Sequence, residues 1–424
     1  MKRFFILLTL IAAAAATAHA DEIRAYWVDA YHNGFFNSTQ ADSLIANVKA
    51  ANMNTVFVQV RRRGGTYYPS SYEPFETNAN PNFDALSYLI NKAHNSSPRI
   101  AVHAWLVAYP VWSSSTTNPA ASNHLMNTHP DWLTQNTSGE TYDGSNYNLD
   151  PGVPGVSDHI ANMATEIAQK YDVDGIHLDY IRYAGKAWGY NPITVSRFNA
   201  LKGRSGTPAS TDAEWMQFRR DQVTDLVRRI YTSVGRYNFK CMVSTSGIAW
   251  GNGPASDAAW LGKDAYAGVL QDWRGWLEEG IVDFVAPMMY FNEGSNAAYL
   301  NNWCSFMNGH TYNRTIIAGI GGYLNTAANV NAQLQRIKSN YGNLTGQVNY
   351  SYAVPSTDAN ASAIAPTLAS GVYSSQAAAP SYSWKVNPTK GHLAGRVTEN
   401  SKGVDGATVT LTASGKTCKT DANG

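Results

Sequence analysis

The sequence predicts a parallel α/β fold, a (β/α)8 TIM barrel followed by an incomplete β-sandwich segment, and three observations carry that expectation. Eight short β-rich apolar runs alternate with helix-period segments from Ile23 to about Ser370. The longest connections, Pro110 to about Gly152 and Ala184 to about Ala213, follow the third and fourth runs at their carboxyl ends, where a barrel builds its active face. No glycine-rich phosphate turn follows any run, which removes the usual mark of a doubly wound nucleotide fold.

The chain opens with Lys2 and Arg3, an apolar stretch from Phe4 to Ala16 and the small-x-small end Ala18-His19-Ala20. This reads as a secretory signal peptide over residues 1–20, cut after Ala20, and predicts a secreted or periplasmic protein with no membrane span in the mature chain. The eight runs are Ile23–Ala30, Thr55–Arg61, Arg99–Tyr109, Gly175–Tyr183, Lys240–Gly247, Ile281–Tyr290, Arg314–Tyr323 and Gln347–Val354. Between them, apolar sets such as Leu44, Ile45, Val48, Ala51 and Val223, Leu226, Val227, Ile230 recur at helical spacing. The barrel is therefore expected over residues 21–373. Residues 374–390, rich in Ala, Ser and Pro, read as a linker. Residues 391–424 alternate like the opening of a carboxypeptidase regulatory-like β-sandwich, and are too few for an independent one, so a truncated β segment is expected.

Composition excludes several classes. With Lys+Arg 32 against Asp+Glu 31 the formal charge is +1, so no summed field would draw nucleic acid. Charged residues are only 15% of the chain while aromatics reach 12%, a bias toward flat amphipathic rings. The aromatic residues Trp112, Trp132, Tyr142, Tyr147, Trp188 and Tyr190 fall on the two long connections, where they could anchor the loops or stack on sugars. Three scattered cysteines support neither a disulfide framework nor a thiolate zinc site.

Polar residues at every second position of an apolar run mark the side that faces the barrel interior. On that rule Gln59, Arg61, His103, Trp105, His177 and Asp179 converge near the carboxyl ends of their strands. Asp179 is the sharpest signal, because an inward carboxylate is costly unless it is paired, with Arg182 or Arg61, or used. Asp174, at the start of the same run, reads as a structural cap. His103 and His177 could be satisfied core histidines, substrate hydrogen bonders or metal ligands. Neither His-x-His nor His-Glu-x-x-His occurs, so no metal and no cofactor are expected.

The segments Glu22–Trp27, Thr55–Arg61, Tyr67–Ser70, Val102–Trp105, Tyr171–Tyr183, Ser246–Ile248, Asp272–Trp276 and Ile281–Tyr290 resemble the glycosyl hydrolase-like 10 family. The resemblance runs from Glu22 to about Val354, and the fourth-run motif is its most specific part. It implies a barrel that hydrolyses glycosidic bonds in a polysaccharide, peptidoglycan glycan being one substrate it suggests. It also implies that Asp179 is the central carboxylate, with Arg61, His103, Trp105, His177 and Tyr290 around it. The chain departs from the family pattern at Gly65, Val107 and Met288, where an Asp, an Asn and a Gln are usual.

Glycoside hydrolysis commonly takes two carboxyl groups. Beside Asp179 the sequence offers Glu293 after the sixth run, where a partly apolar setting would raise its pKa and suit it to act as acid. Asp29 at the end of the first run and Asp150 in the long loop are the other choices, Asp150 and Arg182 also counting as substrate-binding candidates. Two further readings stay open: a carbohydrate-binding protein on a degenerate barrel, and a metal-dependent polysaccharide deacetylase using His103, His177 and Asp179.

Overall fold

The computed structural model describes residues 21–424, so the expected signal peptide lies outside the described residues. Eight parallel strands close into a barrel in sequence order: β1 Ile23–Val28, β2 Thr55–Arg61, β3 Ala101–Val107, β4 Gly175–Asp179, β5 Met242–Ile248, β6 Phe284–Met289, β7 Thr315–Gly321 and β8 Leu344–Tyr350. Closure is made by β1 on β8, in a register running from Ile23 opposite Gly346 to Trp27 opposite Tyr350. Each strand is followed by helix: α1 Ser38–Ala50, α2 Ala85–His94, α3 Pro154–Lys170, then α4 Pro192–Lys202 with α5 Ala213–Tyr237, then α6 Trp273–Glu279, α7 Glu293–Asn308, α8 Ala327–Asn340 and α9 Ala361–Ser370. Most are capped as their sequences suggest; Asp84 accepts from Ser87 N and Asp272 from Gly275 N, so Asp272 braces α6.

Strand alternation sorts the core into two layers. Val56, Val58, Val102, Ala104, Leu106, Ile176 and Leu178 face outward into the large cluster shared with the helices. Ala25, Trp27, Phe57, Trp105, Val107, Phe284, Ala286, Ile317 and Val348 fill the barrel interior. Bulky rings fit there because small residues oppose them: a Cβ on Gly319 would come within 2.7 Å of the Trp27 ring. Asp174 closes the amino-terminal face as expected, accepting from Val102 N at 2.7 Å and pairing with His94 and Arg99 at 2.9 and 2.8 Å.

The apolar runs overreach the strands where apolar loop residues continue them. The fourth run ends as a strand at Asp179, not Tyr183, because Tyr180 takes a left-handed conformation, φ 49°. The eighth strand begins at Leu344, earlier than its run.

The segment expected as a linker packs against the barrel instead of spanning free. Arg24 donates to Ser375 O, and Asn54 Nδ2 to Ala377 O. Tyr382 is buried and stacks on Trp384 at 4.6 Å, and Trp384 Nε1 and Lys385 Nζ both reach the fully buried Asp283, at 2.8 and 3.0 Å. A strap thus crosses beneath the strand starts. Beyond it, the ribbons Thr398–Glu399 with Lys402–Gly403 and Thr408–Leu411 with Lys416–Lys419 form two separate two-stranded sheets. They rest on the barrel through Arg197 with Asp405 at 2.8 Å. Cys241 and Cys304 are buried and free, and Cys418 is exposed and free. Among the described residues no helix is long and apolar enough to cross a membrane.

Candidate active site

Asp179 is the last residue of β4, and its surroundings are built by the strands on either side. The backbone carbonyl of Asp179 accepts from Ala108 N at 2.7 Å, which ties it to the end of β3. Its Oδ1 accepts from Tyr180 N at 2.7 Å and from Ser246 Oγ, on β5, at 2.5 Å. Burial raises the Asp179 carboxyl pKa above the usual range; the Ser246 and Tyr180 donors, the Arg182 charge and the nearby Trp105 indole N–H pull the other way. The indole nitrogen of Trp105 is buried and has no hydrogen-bond partner among the described residues.

The Asp179 charge reaches the rings of Tyr290 and Tyr350, which belong to an aromatic cluster. Tyr290 stacks on Tyr350 with centroids 5.4 Å apart, Trp27 meets both edge-on at 6.3 Å, and Tyr323 stands edge-on to the pair at 5.9 and 6.0 Å. Burial lifts the Tyr290 hydroxyl well above its usual pKa, with the Asp179 charge adding to the shift. At the opening, Tyr31 is 50% exposed and Trp250 45% exposed, flat surfaces of the kind sugars stack on. The loop aromatics Tyr190 and Trp132 instead anchor their own loops. Tyr190 is buried against Trp215 at 5.5 Å, and Trp132 stacks on His129 at 3.8 Å.

Of the residues expected here, Asp179, Trp105, Arg182 and Tyr290 come together. Both histidines belong to the barrel core and not to the cleft. Trp27 Nε1 can only donate, so His177 Nε2 accepts from it at 3.1 Å, and the Nδ1 proton goes to Ser244 Oγ at 2.9 Å. With both nitrogens engaged and the side chain fully buried, His177 has nothing left for substrate or metal, and burial drives its pKa well below the usual value. His103 lies deeper, between Phe57 and Phe284 at 4.9 and 5.7 Å, with burial pushing it down to about 4. Its ring occupies the space that a side chain on Gly175 would need: a Cβ there would sit 2.2 Å from His103 Nδ1. The ligand set His103, His177, Asp179 is therefore not formed. Among the described residues no group of three or more His, Cys, Asp or Glu side chains is placed to hold a metal ion.

Arg61 is another correction. It is fully buried, pairs with Glu73 at 2.7 Å and donates to the carbonyls of Val107 and Ala108. Glu73 also meets His159 at 2.9 Å, and although burial opposes it, Arg61 and His159 hold its carboxyl down to about 2. Arg61 therefore clamps the end of β3 rather than meeting substrate. Asp150 is likewise buried and consumed by structure, accepting from Thr134 Oγ1 and Gly152 N of its own loop and from Thr194 Oγ1 of α4 at 3.0, 2.9 and 2.9 Å. Glu293 opens α7 and makes a two-pronged ion pair with Arg336 at 2.6 and 2.8 Å; this lowers its pKa, opposite to the shift an acid would need.

Asp29 stays on the active face. Its charge and that of Asp179 both raise the Tyr350 hydroxyl, on top of burial. Its Oδ1 accepts from Tyr31 N, His32 N and the His32 ring Nδ1 at 3.0, 3.2 and 2.8 Å, and its side chain is closed off from solvent while His32 is about half exposed.

The comparisons with known proteins agree with this architecture. Residues 22–333 match the family described as glycosyl hydrolase-like 10. The chain belongs to the glycosyl hydrolase-like 10 family. It is 26% identical over 430 residues to "Glycosyl hydrolase YngK" of Bacillus subtilis (strain 168), covering 92% of this chain and 79% of that one. It is 29% identical over 268 residues to "Glycosyl hydrolase DigH" of Escherichia coli (strain K12), covering 58% of this chain and 56% of DigH. The alignment thus spans about half the length of DigH. Among solved structures, the glycoside hydrolase domain of PgaB (BpsB) from Bordetella bronchiseptica superposes with TM-score 0.59 at 16% identity, covering 78% of this chain and 94% of that one. The α-L-fucosidase isoenzyme 2 of Paenibacillus thiaminolyticus gives TM-score 0.57 at 14% identity, over 86% of this chain and 50% of that one. These likenesses show the fold.

Within the glycosyl hydrolase-like 10 family this member's departures have local explanations. Val107 is buried in the barrel interior and Met288 packs against that interior cluster. A Cβ on Gly65 would come within 3.0 Å of Glu76, which already pairs with Arg62, so an acid at 65 would crowd a carboxylate. Ser246, Trp27, Tyr31, Tyr180, Trp250 and Tyr350 were not among the expected site residues. Ser246 had a readable signal: Ser244 and Ser246 repeat the inward polar alternation that singles out Asp179.

Proposed function

We propose that this chain is an exported glycoside hydrolase that cleaves a polysaccharide by proton transfer at Asp179. The observation that carries the reading is one buried carboxyl at the carboxyl end of β4, held by Ser246 and Tyr180, with the stacked rings of Tyr290 and Tyr350 within reach of its charge. Burial keeps a proton on Asp179 to higher pH than on a free carboxyl, which suits it to protonate the departing glycosidic oxygen. The rings supply the apolar walls against which a sugar sheds water.

For the second proton the same face offers Asp29, acting through His32. A carboxylate only accepts, so the His32 Nδ1 proton faces Asp29 Oδ1, and Nε2 of the exposed ring is left as the basic atom. In this arrangement His32 activates water and Asp29 orients it. Peptidoglycan glycan strands are the first substrate to test, beside plant and microbial polysaccharides. Incubation of the purified chain with a panel of insoluble glycans should release reducing ends from at least one; binding without release from any would favour the carbohydrate-binding reading, and activity lost to a chelator and restored by zinc would favour a metal-dependent one.

A further inference from the structure

Two guanidinium groups on the Asp179 face neither give nor take the transferred proton. Arg63 follows β2 and Arg182 follows β4, both half-buried. Their neighbours in sequence show what an arginine engaged in structure looks like here: Arg61 pairs with Glu73 at 2.7 Å and Arg62 with Glu76 at 3.2 Å. Arg63 instead has one neutral bond, from Nε to Asn146 Oδ1 at 2.9 Å, and Arg182 one bond to its neighbour's carbonyl at 3.2 Å. Among the described residues neither makes an ion pair. Taking a guanidinium out of water without a partner is costly, and a ligand carboxylate regains that cost most fully.

Placement aligns the two with the sugar surfaces. Arg63 lies over the Tyr31 ring at 5.3 Å, and Arg182 lies over Tyr180 at 4.7 Å and Trp250 at 5.5 Å. Both charges act on the Tyr180 hydroxyl, countering the burial that raises it. The acids near Arg182 are Asp179 and Asp143. Asp143 is occupied by its own turn, accepting from Ser145 N, Asn146 N and Asn148 Nδ2 at 2.8, 2.7 and 2.8 Å.

We propose that Arg63 and Arg182 form a carboxylate-reading site next to Asp179, so that the substrate is a glycan bearing free acid groups, as uronic acids or as lactyl ethers. Pyranose rings would pack on the exposed parts of Tyr31 and Trp250 that the arginines leave open, while the forked guanidiniums take the carboxylate in two-pronged bonds. This rests on the hydrolase reading but is tested apart from it. The probes are peptidoglycan glycan strands freed of stem peptides and a polyuronate, each used native and after chemical reduction of its carboxyl groups to alcohols. Binding is measured with the full chain carrying Asp179→Asn, so turnover plays no part, and with Arg63→Gln and Arg182→Gln added in turn.

At least one native acid glycan should bind tenfold or more tighter than its reduced form, with each arginine change removing most of that preference and leaving the reduced form's binding as it was. The proposal is overturned by equal binding of native and reduced forms, by binding to neither probe, or by a preference that survives both arginine changes. Hydrolysis by the unsubstituted chain of native and reduced forms at equal rates would sink the acid preference and leave the hydrolase reading intact. A retained preference with no hydrolysis would do the reverse.

Discussion

The hydroxyl of Ser246 donates to Oδ1 of Asp179 at 2.5 Å, joining the ends of two neighbouring barrel strands at a buried carboxyl whose charge reaches Tyr290 and Tyr350. Removing that donor destabilises the ionised form of Asp179. In Ser246→Ala the limb of the pH–activity profile that belongs to Asp179 should therefore move to higher pH. Loss of a bond to a charged group, roughly 1.5–3 kcal/mol, would lower kcat/KM about tenfold or more at the optimum. An unmoved limb would separate Asp179 from the rate.

Arg61 is a clamp, and its removal should act on stability. Both it and Glu73 are fully closed off from solvent, so Arg61→Met leaves a buried carboxylate with only His159. A loss of roughly 3–5 kcal/mol in chemical denaturation is expected. A folded, normally stable variant with raised KM alone would return Arg61 to the substrate.

Acid should weaken the barrel in two steps. His103, at about 4 in the fold against 6.5 unfolded, contributes stability that is full above the unfolded value and is lost as pH falls toward 4. The loss is about 3 kcal/mol for this residue. Glu73, depressed to about 2, contributes stability that persists above 4.5 and disappears as pH falls from there toward 2. Denaturation midpoints measured from pH 7 to pH 4 should fall, and His103→Gln should flatten that slope.

The strap beneath the barrel should be part of the folding unit. Asp283 is fully buried and accepts from Val243 N, Tyr231, Trp384 and Lys385 at 2.7, 3.1, 2.8 and 3.0 Å. Lys385→Met removes the cation and should cost roughly 3 kcal/mol or more in denaturation. Unchanged stability would make residues 375–386 a mere tether.

Strand parity made much of this legible. Periodicity two assigned the interior faces of β3 and β4 correctly, and with them Asp179 at a strand end; on β2 it failed at Arg61, where a register shift after Gln59 sets Arg61 opposite the outward-facing Leu106. What parity cannot read is height within the barrel. His103, His177 and Asp179 share one face, yet only Asp179 reaches the open end; the histidines lie lower, where both rings are walled in by Phe57. Nor does sequence disclose long-range pairing. Glu293 looked free until Arg336, on the next helix, met it, and Arg61, weighed as a partner of Asp179, pairs with Glu73 instead. The exposed rings Tyr31, Tyr180 and Trp250 escaped notice because each lies within three residues of a strand end, while rings farther along the long connections drew attention and serve as anchors.

The most direct test of the account is reducing-end release by the unsubstituted chain and by Asp179→Asn, on whichever glycan the panel shows to be cut, with circular dichroism and denaturation to check that both are folded. The account predicts that the folded Asn variant binds the glycan and releases reducing ends at least about a thousandfold more slowly. Equal release by both proteins would contradict it.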